Sequence, residues 1–457
     1  WLLSEVFNRQ CLPDLSSSTG RLGNAAVLFF IIFLCGSFIA RAKGKIMVIG
    51  SVILLSLIAI IYANGFLVAK SRNESGSGQI DQLKSLPYLD WVATGGDVGK
   101  TGVISHDSLR AFGGLNIYTS RESHEAYLID MNGNLVHKWF AEPLQNTSWQ
   151  HVELCANNDL LVVAKEEMLV RLDWNSRIRW QTEMRVHHDV AVDDQGAIFA
   201  LAREDRLVFW HGLPIPIVGD YIAVLSPDGV LQRKVHIYDL VQERIAPRKI
   251  AKIYCGGILK PINLIKLIID KITLGHFCKN GGYFDIMHTN SVEVLERDVE
   301  GFCKKGDWLL SLLELDLICV ADPRQNMVMW YWGPGELSKQ HHPTLLDNGN
   351  VLIFDNGYER SISRSVELDP LAKEIVWLYQ ADPPENFYSL SRGGNQRLPN
   401  GNTLITESDR GHVFEVEESG RIVWEYFNPE VRTEDKTRAS IYRMMRVNIP
   451  GIGGPIK

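Results

Sequence analysis

Residues 341 to 354 read His341-His-Pro-Thr-Leu-Leu-Asp-Asn-Gly-Asn-Val-Leu-Ile-Phe354, and a little further on comes Asp369-Pro-Leu-Ala-Lys-Glu-Ile-Val-Trp377. The first stretch is a polar lead, a glycine turn and an apolar run. The second is an Asp-Pro turn followed by a strand that ends in tryptophan. Asp, Asn, Gly and Pro supply tight-turn backbone, and the alternation after each turn fits a half-buried strand. Both elements recur. The second returns at Asp130 to Trp139, Asp173 to Trp180, Ser226 to Lys234, Asp322 to Trp330 and Glu418 to Trp424. In copies of the first, His188 leads to Gly196 and Gly393 leads to Gly401. His151 holds the same place without the glycine turn, and His288 opens a copy with a longer excursion before Gly306. Two hairpins per unit make a four-stranded antiparallel sheet. Six such units in series predict an all-β, six-bladed β-propeller rather than a solenoid or a sandwich.

Upstream of the repeats the sequence changes character. Two uncharged apolar runs span about Ala25 to Ala40 and Ile46 to Ala69. A bilayer span takes roughly 20 apolar residues, which the second run supplies and the first approaches. Arg41-Ala-Lys-Gly-Lys45 lies between them, and its positive charges place that loop on the cytoplasmic side. The expectation is a transmembrane helical hairpin with both ends outside; a signal peptide plus one anchor, or one span and one buried helix, are the alternatives. The chain opens at Trp1 rather than at a methionine, so an upstream segment is expected. Residues 1–70 are thus read as a membrane anchor and 71–86 as a Gly/Ser-containing linker. Residues 87–457 form the propeller, which stands on the periplasmic or extracellular side, with an insertion at about 236–285. Within that insertion Ile258 to Leu274 reads as an amphipathic helix, lying on the membrane or capping the propeller. A net charge of −7 lacks the basic surface that phosphate neutralisation needs, which excludes nucleic acid as a partner. The seven cysteines are too scattered for a disulfide framework; Cys278 and Cys303 flank one insertion, and their pairing stays open.

The first strand of a propeller blade lines the central channel, so like positions on different blades converge. His188, His288 and His341 share such a position and are the candidate catalytic set; His151 is read as structural. His187 and His342 should face away by strand alternation. Imidazoles so gathered can bind a metal, relay protons or attack an electrophile. No nearby carboxylate is evident as a partner for them, which ranks a zinc site lower.

The block Gln340 to Gly357, QHHPTLLDNGNVLIFDNG, resembles the block around the nucleophilic histidine of the arylsulfate sulfotransferases, and so does Gly393 to Pro429. The likeness extends over roughly Gly113 to Gly451. It implies a six-bladed propeller that moves a sulfuryl group from an aryl sulfate donor to a phenolic acceptor through a sulfohistidine, with no nucleotide, cofactor or metal. The family nucleophile falls on His341, and its supporting residues on His188, His288 and Asn290. The sequence departs from the family at Gly306-Asp-Trp-Leu-Leu-Ser-Leu-Leu313, where the pattern carries an arginine in place of Leu313. Losing one oxyanion donor costs about 10²–10³ in rate. Arg392 and Arg364 are the expected substrate-binding substitutes, with Arg392 preferred because it adjoins the register position of the sixth blade. The competing expectation is an inactive propeller that serves as a binding module or as a subunit of a membrane protein complex. A metal- or quinone-dependent dehydrogenase propeller lacks its cofactor residues.

Overall fold

The computed structural model describes residues 91–94, 96–120, 124–141, 148–247, 249–250 and 283–452. The two apolar runs, the linker, the stretch Ile258 to Leu274 and Cys278 lie outside the described residues. The chain divides into two compact units, one of Trp1–Pro87 with Arg244–Phe284 and one of Tyr88–Glu243 with Asp285–Lys457. Of the first, only residues 244–247, 249–250 and 283–284 are described. Every strand below belongs to the second. Among the described residues no helix is long and apolar enough to cross a membrane.

Strands β1 (Trp91–Ala93) and β2 (Gly102–His106) lead in, followed by β3 (Leu115–Ser120), β4 (Glu125–Ile129) and β5 (Leu135–Phe140). Then come β6 (Trp149–Leu154), β7 (Leu160–Ala164), β8 (Met168–Leu172) and β9 (Ile178–Glu183). They are followed by β10 (Val186–Val192), β11 (Ile198–Trp210), β12 (Leu213–Leu225) and β13 (Leu231–His236). A short helix α1 (Ile237–Val241) opens the insertion, after which the strands resume as β14 (Thr289–Val294), β15 (Trp308–Leu312), β16 (Leu317–Asp322) and β17 (Met327–Trp332). Next are β18 (His341–Leu345), β19 (Val351–Asp355), β20 (Arg364–Asp369) and β21 (Glu374–Tyr379). The series ends with β22 (Gly394–Arg397), β23 (Thr403–Glu407), β24 (His412–Val416), β25 (Ile422–Phe427), β26 (Val431–Arg432), β27 (Thr437–Ala439) and β28 (Ile441–Val447).

Four sheets take four consecutive strands each: β6 to β9, β10 to β13, β14 to β17 and β18 to β21. In a fifth, β22 to β25 are extended by β2 on the outer edge. In a sixth, β28 pairs with β3 and completes the sheet β28-β3-β4-β5, so the last strand of the series joins the first repeat. A small sheet of β1, β27 and β26 stands apart from the repeats. The protein is all-β and propeller-like: six antiparallel sheets, each offering one edge strand (β28, β6, β10, β14, β18, β22) that touches the corresponding strand of the next.

Sequence explains the turns. Asp130 Oδ1 accepts the backbone N–H of Asn132 and of Asn134, each at 2.8 Å. Asp193 does the same for Gln195 and Ala197 at 3.0 and 2.8 Å, and Asp173 for Arg177 at 2.8 Å. The carboxylate takes over donors that the tight turn leaves without a strand partner. The core is a series of layers between neighbouring sheets: Leu128, Trp139, Trp149, Val162 and Val170 fill one, and Val163, Leu169, Val190, Ala200 and Ala223 the next. Each buried leucine or valine among them contributes about 1.5–3 kcal/mol.

Four of the recurring tryptophans tie their sheet to its neighbour. Trp180 Nε1 donates to the carbonyl of Pro227 at 3.0 Å, Trp330 to Pro370 at 2.9 Å and Trp377 to Glu418 at 3.0 Å. Trp424 reaches Met131, 293 residues away in sequence, at 2.9 Å. Each acceptor sits in a turn of the following sheet. Gly229 shows what the clasp requires: its φ is +76°, and a Cβ there would stand 2.5 Å from the Trp180 ring. Only glycine meets both conditions.

Candidate active site

The six edge strands gather the polar side chains of the site. Gln150 and His151 stand on β6, His188 and Asp189 on β10, Asn290 on β14, His341 and His342 on β18, and Tyr442 and Arg443 on β28. His288 and Arg392 lie just ahead of β14 and β22. Regular pairing breaks at this level: the register shifts between Val186 and Val190, between Thr289 and Ser291, and between His341 and Thr344. His188, His288, His342 and Arg392 have φ of 61°, 48°, 48° and 58°. A residue other than glycine held there costs about 1–3 kcal/mol, and such residues cluster at functional sites.

His341 is 1% exposed. Its Nδ1 lies 2.7 Å from Asn356 Oδ1 and 3.1 Å from the carbonyl of Lys339. Asn356 is held in that orientation because its Nδ2 donates to the carbonyls of Ser389 and Arg392, at 2.9 and 2.6 Å. Both neighbours of Nδ1 are therefore acceptors, and the ring proton belongs on Nδ1. Nε2 is left with its lone pair, buried and without a hydrogen-bond partner among the described residues. Burial pushes the imidazole down to about 3, against the pull of Asn356. A neutral imidazole with a bare Nε2 has the lone pair that nucleophilic chemistry requires.

His188 is 6.4 Å from His341, ring to ring, and its Nε2 lies 2.9 Å from His288 Nε2. Gln150 Nε2 and the Tyr442 hydroxyl meet His188 Nδ1 at 3.1 and 2.8 Å. Burial, and then the charge of His288, hold His188 well below its usual range. On its far side His288 Nδ1 bonds Asp285 Oδ2 at 2.5 Å. This corrects the expectation that no carboxylate partners the histidines. The Asp-Ile-Met-His spacing at 285–288 carried the signal, at the edge of an insertion that hides where the strand begins.

The structure brings His188, His288 and His341 together, with Asn290 beside them. Asn290 is buried, and its Nδ2 donates to the carbonyl of Gln340 at 2.8 Å, bracing the residue that precedes His341. Arg392 is fully buried. Its carbonyl takes the Asn356 bond, and its guanidinium donates to Ser440 Oγ at 2.9 Å. Arg364 is not brought to the cluster. It lies two strands out in the β18 sheet, with its fork on Asp355 Oδ2 at 2.7 Å and the carbonyl of Glu336 at 2.8 Å. Leu313 stands beside the histidines, its N–H donating to the carbonyl of His288 at 3.1 Å. The cation against it, Lys339 Nζ, is paired with Glu314 at 3.0 Å.

A second polar layer adjoins the histidines. Arg443 Nη1 donates to Asp189 Oδ1 at 3.0 Å, while Arg443 Nε and Nη2 are buried without a hydrogen-bond partner among the described residues. A Cβ on Gly394 would meet both Arg443 Nε at 3.2 Å and His342 Nδ1 at 3.1 Å, so glycine is what lets this side chain cross the strand. His342 faces this layer. His187 turns to Arg203 and Asp220, at 3.1 and 3.4 Å. His151 Nε2 lies 3.5 Å from Asp189. Cys303 is a buried free thiol. Among the described residues no group of three or more His, Cys, Asp or Glu is arranged to hold a metal ion.

Fold and site together define a propeller-like all-β protein whose edge strands converge on a buried histidine cluster. Residues 258–429 match the family model described as Arylsulfotransferase (ASST), and over that stretch the chain is similar to the arylsulfotransferases. The match takes in His288, Asn290, His341 and Arg392, and leaves His188 and Arg443 outside it. No curated protein sequence matches the chain. Among solved structures it is similar to a protein of unknown function from Bacteroides caccae, at 12% identity and a TM-score of 0.46, covering 73% of this chain and 98% of that one. Virginiamycin B lyase from Staphylococcus aureus shares 8% identity at a TM-score of 0.39, over 76% and 90% of the two chains. BamB from Moraxella catarrhalis shares 12% at 0.31, over 72% and 76%. Likenesses this distant bear on neither site nor activity.

Proposed function

We propose that the chain is a six-bladed propeller enzyme that transfers a sulfuryl group from an aryl sulfate to a phenol, with His341 as the nucleophile. The reading is carried by one observation: His341 Nε2 is a buried lone pair with no partner among the described residues, on a ring whose proton is fixed on Nδ1 by Asn356 and Lys339. In the first half-reaction that lone pair forms the N–S bond as the S–O(aryl) bond breaks, and the departing phenolate takes a proton. In the second, an acceptor phenol gives up its proton, its oxygen bonds sulfur and the N–S bond returns its pair to Nε2. Sulfuryl transfer, like phosphoryl transfer, asks the protein mostly for position and charge. His188 and His288 supply proton handling, and Asn290 sets the strand that carries His341.

The oxyanion charge needs a cation that Leu313 does not provide. Arg443 fits that duty through its unpartnered Nε and Nη2, and it lies close enough to help depress His341. Arg392 is the second candidate. A transmembrane hairpin within residues 1–70 would hold the propeller on the periplasmic or extracellular face, a reading that rests on the two apolar runs and the Arg41 to Lys45 loop.

The test is transfer from 4-nitrophenyl sulfate to phenol by the full chain, beside His341→Ala. Turnover that disappears in the variant supports the reading. Folded protein with no turnover in either form contradicts it and favours a non-catalytic propeller, for which Leu313 is the specific evidence.

A further inference from the structure

Asp189 follows His188 on β10 and is 3% exposed. Its two oxygens face different sheets. Oδ2 accepts the Ser291 hydroxyl at 2.9 Å and the backbone N–H of Val292 at 3.1 Å, both on β14. Oδ1 accepts Arg443 Nη1 from β28 at 3.0 Å and lies 3.5 Å from His151 Nε2 on β6. One carboxylate thus joins the edge strands of four sheets. Burial opposes its charge, but Arg443 and then His151 outweigh burial, and the carboxyl stays below its usual range. The stem of Arg443 is confined as well, since it runs over Gly394 on β22, where a Cβ would stand 3.1 Å from its Cγ. A guanidinium is a rigid planar fork, so fixing Nη1 fixes the direction of the other nitrogens. Its Nε–H and one Nη2–H run parallel along one edge. Those two nitrogens are the ones left buried without a hydrogen-bond partner among the described residues. A parallel pair of charged donors suits two oxygens of one tetrahedral anion.

We propose that Asp189 is the positioning residue that aims the Nε and Nη2 edge of Arg443 at the sulfuryl oxygens. The proposal rests on the sulfuryl-transfer reading above and goes beyond it by assigning what makes Arg443 an oxyanion clamp. Asp189 touches no reacting atom and acts through Arg443 alone. By taking Nη1 it leaves the bidentate edge free for the sulfuryl group. By accepting from β14 with its other oxygen it sets that edge relative to the strand that carries Asn290, while its own strand carries His188. It also compensates the guanidinium while no substrate is bound, since a buried cation without a partner is costly. Leu313 offers no cation to share the duty, so the aim of Arg443 has a direct effect on rate.

A carboxylate that acts through an arginine loses its effect once the arginine is gone, whereas one that only braces β14 does not. The experiment is a double-mutant cycle in the full chain: wild type, Asp189→Asn, Arg443→Gln and the double variant, read as kcat/KM for 4-nitrophenyl sulfate with phenol as acceptor. Asn at 189 must turn its NH₂ either to Arg443 or to the Ser291 and Val292 donors, so it cannot keep both sets of bonds. Each single variant is expected to lose about 10²-fold or more, the range for one oxyanion donor. The double variant is expected to lose no more than Arg443→Gln alone. If Asp189→Asn does not fold, Ser291→Ala takes its place: it loosens the carboxylate, and its expected loss of about fivefold disappears in the Arg443→Gln background. Losses that multiply in the double variant overturn the positioning role and leave sulfuryl transfer standing. Wild-type turnover in either Arg443→Gln or Asp189→Asn overturns it too, the former leaving Arg392 as the cation. A wild type without turnover overturns both.

Discussion

The Asn356 amide decides what His341 can do. Its Oδ1 fixes the ring proton on Nδ1, and its Nδ2 is spent on two carbonyls, so the amide cannot turn over without losing them. Asn356→Ala removes one of the two acceptors and leaves the Lys339 carbonyl. The expected result is a fall in kcat of about 10²-fold, short of the ~10⁴ that a wholly misplaced tautomer costs, with KM little changed. A loss of KM alone would mean that the amide only shapes the pocket. The histidines were legible in the sequence because turn chemistry sets their period. Asn356 was not singled out, although it lies within the block that resembles the family. Tyr442 and Arg443 were not legible, because they reach the site only when β28 pairs with β3 some 330 residues earlier, as Arg446 does with Asn116. Arg364 misled for a physical reason: it occupies the third strand of its sheet, and Asp355 is a nearer partner than any anion at the cluster.

Between sheets, the contacts that matter are a ring, a turn and one hydrogen bond. Gly229 and Gly212 both hold positive φ, +76° and +84°, but the Trp180 ring stands over the first while nothing lies within 4 Å of the second. Replacing either with alanine carries the backbone cost of about 1 kcal/mol or more. Gly229→Ala must also displace the indole, and its added loss in urea unfolding is expected to be at least ~1 kcal/mol over Gly212→Ala. Equal losses would show that the clasp does not depend on this close approach. Most of these elements could be read from the sequence: the Asp turns, the glycine turns and the Trp-bearing strands stand where the repeats put them. The 13-residue strands β11 and β12 were not anticipated, since their outer halves are a hairpin beyond the sheet and follow no repeat.

At the scale of the molecule, the polar interior makes stability depend on pH in both directions. His151, His187, His188, His341 and His342 are all lowered, each first by burial. Their unfolded forms bind protons below about 6.5 and their folded forms do not, so stability falls as pH drops from there. Glu293 is raised by burial to about 8, so the folded chain holds a proton that the unfolded chain has lost, and stability also falls as pH rises through that value. His412, raised by Glu407 and Glu425 against its burial, adds to the loss on the alkaline side. The melting temperature is expected to peak near pH 6.5 and to decline faster on the acid side, where more groups act; a flat profile from pH 4 to 8 would contradict the buried charge arrangement. The sequence conveyed the all-β repeats but not this interior, because which polar groups share a layer depends on strand-to-strand register across sheets far apart in sequence. Whether His341 Nε2 takes the sulfuryl group is decided by mass spectrometry of the full chain mixed with 4-nitrophenyl sulfate without acceptor. The expected result is one SO₃ on the peptide carrying His341, lost when phenol is added and absent from His341→Ala. Turnover without that adduct, or an adduct on another residue, would contradict it.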